Sequence, residues 1–200
     1  TVRAVNNATG CTSTVQATVV NNLVTPVVSV NPDLPLTHCV TPDGQVSANV
    51  GGNTTDFTFY WFNGNVSSPN IASANFTGPV YSGLTAGTYT VVAVNNATTC
   101  QSARQTVAVA DNTVLPTIST VSTNQTHCDT ATPNGALTAN VGGNTTDYTF
   151  TWFVGSGTSG AIVSDVATPH TASGLPAGTY TVQAVNNSTG CTSIVQATVV

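Results

Sequence analysis

The chain has 200 residues, of which only two are basic and seven acidic, and its formal net charge is −5 at pH 7. This balance excludes a nucleic-acid surface, which needs clustered Lys and Arg. Hydrophobic residues make up 40% of the sequence, so packed domains are expected rather than disorder. Thr and Val are abundant and no long stretch has a helical period, which predicts an all-β fold. No apolar run reaches membrane-spanning length, so no membrane span is expected in this segment.

The first twenty residues, TVRAVNNATGCTSTVQATVV, match the last twenty at seventeen positions. A third copy, TVVAVNNATTC, covers 90–100, so the repeat period is about 90 residues, the size of a small β-sandwich. We therefore predict that residues 1–20 are the C-terminal two strands of a truncated preceding repeat. Two complete repeats, 21–110 and 111–200, follow. The chain is then a window from a longer array; the alternative is a complete protein with an extra N-terminal hairpin.

Strand patterns follow one another along each repeat and are clearest in the second. Tyr148, Phe150 and Trp152 alternate with Thr, which places the three aromatic rings on one face of a strand. The looser stretch 154–175 is expected to hold one or two short strands. Six to eight short strands in 90 residues predict a two-sheet Greek-key sandwich. The other predicted strands of this repeat cover 114–121, 136–141, 178–185 and 191–200.

Four aromatic residues are predicted to be structural. Trp61 and Trp152 lie in the third strand of their repeats, where immunoglobulin-like sandwiches bury a Trp. Tyr89 and Tyr180 follow LTAG and LPAG at the start of the penultimate strand, which resembles a tyrosine corner. The predicted fold class is therefore all-β, with tandem immunoglobulin-like Greek-key sandwiches of about 90 residues each.

The order of motifs in each repeat also resembles a known family. GG, YTFTWF, SGLPAGTYTV and NNSTGC in sequence are similar to the repeats of the giant SprB-type gliding adhesins of Bacteroidota. The resemblance covers about two-thirds of each repeat and implies export, cell-surface display, and adhesion, filament formation or gliding motility. The acidic D-A-N-G-C turn usual in that family is replaced here by NNATGC, NNATTC and NNSTGC, which argues against cation binding at the turn.

The five cysteines leave two pairing schemes open. Each complete repeat holds two cysteines, which favours Cys39–Cys100 and Cys128–Cys191, with the partner of Cys11 outside the chain. In the alternative scheme Cys11–Cys39 and Cys100–Cys128 link neighbours, and Cys191 pairs with a following repeat. Either scheme implies an oxidising compartment.

Residues for catalysis are sparse. The sequence has no Glu, its Asp residues are scattered, and no phosphate loop or dinucleotide motif occurs. The His-Cys pairs at 38–39 and 127–128 have no metal-ligand spacing. We therefore predict no enzyme activity, no catalytic residues, no metal site and no cofactor.

Nine N-x-S/T sequons are glycosylation candidates, although a chain so rich in Asn and Thr produces sequons by chance. Thr130, in DTA, is a further candidate because it resembles the O-linked acceptor motif of Bacteroidota. The sequons are Asn7, Asn53, Asn65, Asn75, Asn96, Asn124, Asn144, Asn186 and Asn187.

The predicted function is structural: a repeat segment of a long secreted cell-surface adhesin or extracellular filament, located outside the cell. Its expected partners are neighbouring repeats of the same chain. Sheet edges without charged residues also favour self-association into a filament or bundle. The alternative is a module that binds surface glycans through the GGNTTD and NNxTxC loops, which lie at the same end of an immunoglobulin-like fold.

Overall fold

The computed structural model describes residues 1–129, 131–162 and 168–200, and these residues form mainly short β-strands. Thr130, the O-glycosylation candidate, lies outside the described residues. A short 3-10 helix covers Ile71–Ser73. The strands are β1 (Val2–Val5), β2 (Thr12–Val15), β3 (Ser29–Leu34), β4 (Gly44–Asn49), β5 (Phe57–Asn63), β6 (Phe76–Thr77), β7 (Val80–Leu84), β8 (Gly87–Asn95), β9 (Gln105–Val109), β10 (Ile118–Thr123), β11 (Gly135–Val141), β12 (Tyr148–Val154), β13 (Ala161–Ile162), β14 (Thr171–Leu175), β15 (Gly178–Asn186) and β16 (Thr192–Val199).

Strands β3 to β9 form a two-sheet structure that we call the first sandwich. One sheet has the order β3-β4-β7 and the other has the order β6-β5-β8-β9. The chain crosses from the first sheet to the second after β4 and returns after β6, which is a Greek-key path. Strands β10 to β16 repeat the arrangement as the second sandwich, with sheets β10-β11-β14 and β13-β12-β15-β16. The predicted all-β tandem sandwich fold is confirmed.

Each sandwich has its own apolar core, contributed by the inward faces of both sheets. Along β4 buried and half-buried residues alternate strictly, as a strand with one covered face requires. Trp61 on β5 and Trp152 on β12 are fully buried, as predicted. Each ring packs with Val and Ala residues from the neighbouring strands of its own sandwich.

Tyr89 and Tyr180 are buried at the starts of β8 and β15, and their hydroxyls reach back four residues. The Tyr89 hydroxyl donates to the Thr85 carbonyl at 2.8 Å, and the Tyr180 hydroxyl donates to the Pro176 carbonyl at 2.8 Å. Both contacts have the tyrosine-corner geometry that the sequence predicted. Burial raises the pKa of the Tyr180 phenol, so the hydroxyl keeps its proton as the donor.

The first and last strands of a sandwich run in the same direction, and this fixes where its loops lie. Just beyond β3, Leu36 forms a parallel bridge with Asp111, which follows β9. The segment after the first strand therefore lies at the C-terminal end of the sandwich. We call residues 36–43 the first hook and the described residues of the equivalent segment, 125–129 and 131–134, the second hook.

The turn before the last strand lies at the opposite, N-terminal end. We call residues 95–100 and 186–191 the first and second cysteine turns. Each begins at the last residue of the nine-residue strand β8 or β15, eight residues after the Gly that starts that strand. Hook and cysteine turn of one sandwich are therefore separated by the whole length of the sandwich.

The N-terminal residues form a separate antiparallel hairpin. Strand β1 pairs with β2 with Val2 opposite Val15, which is the register of Val182 opposite Val195 in β15 and β16. The side chains of this hairpin are exposed. The hairpin therefore has the strand pairing of the last two strands of a sandwich, without the sandwich around it.

One detail differs from the expectations. The strand predicted over 114–121 begins only at Ile118, because Pro116 belongs to the connection that leads into it. The loose stretch 154–175 contains two short strands, β13 and β14, as expected, while 163–167 lies outside the described residues. The domain boundaries at 20/21 and 110/111 fall between strands and stay predictions.

Gly135→Ala is expected to destabilise the second sandwich. An added Cβ would lie 2.5 Å from both the Leu175 carbonyl oxygen and Val199 Cγ1, and backbone cannot retreat cheaply. Overpacking of this kind costs about 1–3 kcal/mol. Urea unfolding measures the loss. Gly157→Ala is the matched control, because its Cβ would meet nothing within 4 Å and should leave stability nearly unchanged.

Candidate functional site: a disulfide-linked junction

The two sandwiches are covalently joined where the first hook meets the second cysteine turn. Cys39 forms a disulfide with Cys191 across 152 residues of sequence, with 4.9 Å between their Cα atoms. Cys191 is fully buried. Beside the disulfide, the Cys39 N–H donates to the Thr189 carbonyl at 2.8 Å. A covalent bond and a backbone hydrogen bond thus hold the same point of the junction.

The favoured pairing, Cys39–Cys100 with Cys128–Cys191, is wrong. In the first sandwich Cys39 lies at the C-terminal end and Cys100 at the N-terminal end. The nine residues of β8 between those ends span on the order of 25 Å at about 3.3 Å per residue. A disulfide tolerates about 4.4–6.8 Å between Cα atoms, so both cysteines of one sandwich cannot meet.

The alternative pairing, Cys11–Cys39 with Cys100–Cys128, is also wrong, although its idea of linking neighbours is right. Cys100 lies at the N-terminal end of the first sandwich, whereas Cys128 lies beyond β10, at the far end of the second. The ends that touch carry the first cysteine of the first sandwich and the second cysteine of the next. Cys11, Cys100 and Cys128 are free thiols in this structure.

The first hook is shaped by Asp43. Its Oδ1 accepts from the Thr37 N–H at 2.8 Å and from the His38 N–H at 3.2 Å. Its Oδ2 accepts from the Thr37 hydroxyl and lies 2.7 Å from His38 Nδ1. These hydrogen bonds, those of Thr37 first, hold the pKa of Asp43 well below its usual range. Thr37 and His38, the two residues before Cys39, are thereby fixed.

The second hook uses an amide for the same purpose. Asn134 occupies the position of Asp43, and its Oδ1 accepts from the Thr126 N–H at 2.9 Å and from the His127 N–H at 3.3 Å. Its Nδ2 donates to the Thr126 hydroxyl at 2.9 Å. Both hooks therefore present their cysteine on a loop held from inside, although the second hook is two residues longer.

The connection between the sandwiches is tied to the first hook. The Leu36 N–H donates to the Ala110 carbonyl at 2.9 Å, and the Asn112 N–H donates to the Leu36 carbonyl at 2.8 Å. Further on, the connection covers a cavity of about 490 Å³ with Pro116 on one wall and Thr37 of the first hook on another. The junction thus consists of hook, connection and cysteine turn in mutual contact.

The cysteine turns share one local design. The Asn186 side-chain oxygen accepts from the backbone N–H groups of Ser188 and Thr189 at 2.9 and 3.0 Å. Gly190 follows with φ of +70°, and an added Cβ would lie 2.7 Å from Val40 Cγ2 of the first hook. Gly at this position therefore serves both the left-handed backbone and the close approach of the neighbouring sandwich.

The GGNTTD loops lie beside the cysteine turns, as predicted for loops at one end of the fold. Asn96 Nδ2 donates to the Thr55 carbonyl at 3.1 Å, and Asn96 Oδ1 accepts from the Thr58 hydroxyl at 2.7 Å. A shallow groove of about 290 Å³ runs between the two loops of the first sandwich, lined in part by Asp56. Asp56 Oδ2 accepts from Asn53 Nδ2 at 2.7 Å, so this carboxylate has a structural task within its loop.

The sequons differ in how free their amides are. Asn53 and Asn144 use the nitrogen that would carry a glycan to donate to Asp56 and Asp147 at 2.7 and 2.6 Å. Asn186 is half-buried by its turn. Asn96 and Asn187 have exposed side chains, but their Nδ2 atoms donate to the Thr55 and Thr146 carbonyls at 3.1 and 3.4 Å. The remaining candidates have exposed side chains; they are Asn7, Asn65, Asn75 and Asn124. Whether any of them carries a glycan stays a prediction.

The described part of the chain contains no group of three or more His, Cys or acidic residues close enough to hold a metal ion. His127 Nδ1 lies 2.9 Å from the Thr132 carbonyl, within its own hook. In the same described ranges, none of the helices has the length and apolar character that crossing a bilayer would need.

These features define the class of protein: tandem immunoglobulin-like sandwiches joined by a disulfide. No protein-family model and no curated protein matches the chain. Among solved structures, murine CEACAM1b aligns over 87% of this chain and 99% of that chain, with 14% identity and a TM-score of 0.32. The crystal structure of a mouse coronavirus receptor-binding domain complexed with its murine receptor aligns over 87% of this chain and 100% of that chain, with 11% identity and a TM-score of 0.32. Similarities this low carry no argument about function.

Asp43→Asn is expected to reduce the acid sensitivity of the protein. A lowered folded-state pKa contributes stability that is present above the unfolded value of about 4 and is lost as pH falls through the folded value. Urea midpoints measured from pH 6 to pH 2 should fall less steeply in the variant. Asp33→Asn, which leaves the hook intact, should behave as the wild type does. Equal acid sensitivity in the wild type and Asp43→Asn would contradict this role of the hook.

Thr99→Gly is expected to stabilise the first sandwich by about 1 kcal/mol, because a β-branched residue is strained in the left-handed region. Thr99 has φ of +58°, where the equivalent Gly10 and Gly190 have +71° and +70°. Thermal unfolding provides the measurement. Ala97→Gly, in the same turn at ordinary φ, is the control and should lower the unfolding temperature slightly.

Proposed function

We propose that the chain is a semi-rigid rod segment of an extracellular adhesin or filament, built from sandwiches joined end to end. The observation that carries the proposal is the Cys39–Cys191 bond, which links two consecutive sandwiches instead of closing one of them. A disulfide inside a domain stabilises that domain alone. One between domains also restricts how the pair can bend, which is the property that a rod requires.

The junction restricts bending at more than one point. The Cys39–Cys191 bond fixes the hook to the turn, while the hydrogen bonds of Leu36 hold the beginning of the connection between the sandwiches. Pro116, with its fixed φ, stiffens the remainder of that connection. The two sandwiches are therefore joined at two places, by the peptide connection and by the disulfide between the first hook and the second cysteine turn.

An extracellular setting agrees with the chemistry of the chain. Structural disulfides persist in oxidising compartments, and Cys191 is buried away from reductants. The resemblance of the repeats to SprB-type gliding adhesins supports the same setting and a role in adhesion or surface motility. The low charge of the surface favours contacts between copies along exposed sheet edges.

Replacing Cys39 and Cys191 together with Ser is expected to leave both sandwiches folded but to make the chain bend. Each sandwich keeps its own core, whereas the junction loses its covalent link. Small-angle X-ray scattering should show a broader distance distribution and a shorter maximum dimension than the oxidised wild type. Far-ultraviolet circular dichroism should remain unchanged.

The matched control is Cys11→Ser, which removes an exposed thiol from the N-terminal hairpin and leaves the junction intact. Its scattering curve should superimpose on that of the wild type. If the double variant also scatters like the wild type, the disulfide does not set the rigidity of the segment and the rod proposal is wrong.

A second candidate function is glycan binding at the groove between the GGNTTD loop and the cysteine turn. The groove exists, and Asp56, Asn95 and Asn96 line it with groups that can bond to sugar hydroxyls. A glycan array probed with the wild type and with the double variant Asp56→Asn, Asp147→Asn tests it. Binding that the variant loses would support this function, and absence of binding by the wild type would eliminate it.

A further inference from the structure

The Cys39–Cys191 bond shortens the covalent path through the molecule. It joins two residues that are 152 positions apart in sequence, and the loop that it closes contains strands β4 to β15. The shortest covalent path from residue 1 to residue 200 therefore runs through residues 1–39, across the disulfide and through residues 191–200. In each sandwich this path uses a single strand, which is β3 in the first and β16 in the second.

Both of these strands run from the N-terminal end of their sandwich to its C-terminal end. Strand β3 leads into the first hook, where the Leu36 N–H donates to the Ala110 carbonyl beyond β9 at 2.9 Å. Strand β16 begins after Cys191, and the Val200 carbonyl beyond it accepts from the Gln125 N–H beyond β10 at 2.8 Å. The disulfide thus joins the end of one strand to the beginning of the other, and both strands have the same direction.

Neither strand can release much length when it is pulled from both ends. A β-strand rises about 3.3 Å per residue, and a fully stretched chain reaches only about 3.3–3.6 Å per residue. Strand β3 has six residues and β16 has eight, so stretching them gains almost no length. Tension does work only where the chain lengthens. It therefore has almost no tendency to pull either strand out of its sheet.

The remaining strands lie on a longer covalent path that runs in parallel with the disulfide. This path contains β4 to β15 and the peptide connection between the sandwiches. Because the ends of the longer path are held together by the Cys39–Cys191 bond, it stays slack while that bond is intact.

We propose that the disulfide is a tension bypass: a pulling force that enters before β3 and leaves after β16 is carried by β3, the Cys39–Cys191 bond and β16. Strands β4 to β15 are shielded from that force. The inference rests on the proposed rod function and deepens it, because resistance to bending does not by itself limit extension.

Without the bond, the force acts on the noncovalent structure of both sandwiches. The covalent path then runs through every strand in turn, and each sandwich is held closed by its hydrogen-bonded sheets and its apolar core. Each sandwich contains about 80 residues, so its unfolding releases on the order of 250 Å of chain. Oxidised and reduced chains should therefore differ greatly in how far they extend.

Single-molecule stretching of the 200-residue chain between handles at its two ends tests the proposal. The free thiols are first alkylated, so that they cannot exchange with the disulfide. With the disulfide intact we expect a stretched length of roughly 170 Å and no unfolding step of about 250 Å. A phosphine reductant, or the double variant Cys39→Ser, Cys191→Ser, should increase the stretched length about fourfold and produce two such steps.

Two results of this measurement would overturn the proposal. One is an unfolding step of that size in the oxidised chain. The other is the same stretched length with and without the disulfide. The stretched length is informative even if the double variant folds poorly, because it depends on covalent connectivity alone.

Gly135→Ala tests whether the bypassed strands are shielded. Its added Cβ would crowd the Leu175 carbonyl and destabilise the second sandwich. The oxidised variant should stretch as the oxidised wild type does, because β11 lies in the bypassed loop. The reduced variant should show one of its two steps at a lower force than the reduced wild type. Gly157→Ala is the control and should match the wild type in both states, whereas an equal response of oxidised and reduced Gly135→Ala would contradict shielding.

A single backbone cut gives an independent test. Arg3 and Arg104 are the only Lys or Arg residues, so trypsin has one site in an Arg3→Gln chain. That site is the exposed Arg104, within the bypassed loop, and a reducing gel verifies the cut. The cut oxidised chain should still hold tension between its ends. The cut double variant, in which β9 has lost its covalent link to the first sandwich, should part. Parting of both chains at the same force would contradict the bypass.

The rod function and the tension bypass fail in different measurements. Unchanged scattering by the double variant contradicts the rod function, and a short stretched length of the oxidised chain would still support the bypass. Changed scattering together with equal stretched lengths in the oxidised and reduced states would contradict the bypass alone.

Discussion

The parallel course of the first and last strands of each sandwich is the constraint on which the rest depends. It sends the hook to the C-terminal end and the cysteine turn to the N-terminal end, a full strand length apart. A disulfide spans only a few ångströms between Cα atoms. The cysteines of one sandwich are therefore available only to its neighbours, and a pair of cysteines per repeat becomes a link between repeats.

That constraint gives the chain a direction. In each sandwich the hook lies at the C-terminal end and the cysteine turn at the N-terminal end. A disulfide therefore joins the first cysteine of one sandwich to the second cysteine of the following one. Side-chain hydrogen bonds fix both loops that form this link. Asp43 or Asn134 holds the hook, and the first Asn of each cysteine turn holds the backbone that carries the partner cysteine.

Much of the fold could be predicted from the sequence. Strict alternation in β4 and the aromatic alternation in β12 indicated strands with one covered face, and burial of Trp61, Trp152, Tyr89 and Tyr180 followed from their positions. The pairing of the cysteines could not be predicted in the same way. Counting cysteines per repeat paired residues that are close in the repeat and far apart in space. The signal that could have located the bond was topological, since Cys39 follows a first strand and Cys191 precedes a last one.

The sequence by itself determined the repeat, the all-β class, the core aromatic residues and the absence of a basic surface, because these depend on local pattern and composition. The tertiary structure decided which ends of the sandwiches meet, and so which cysteines bond. That choice depends on how β3 lies beside β9 and how the connection folds against the hook. Sequence spacing does not contain this information, because a distance along the chain fixes no direction in space until the strands are paired.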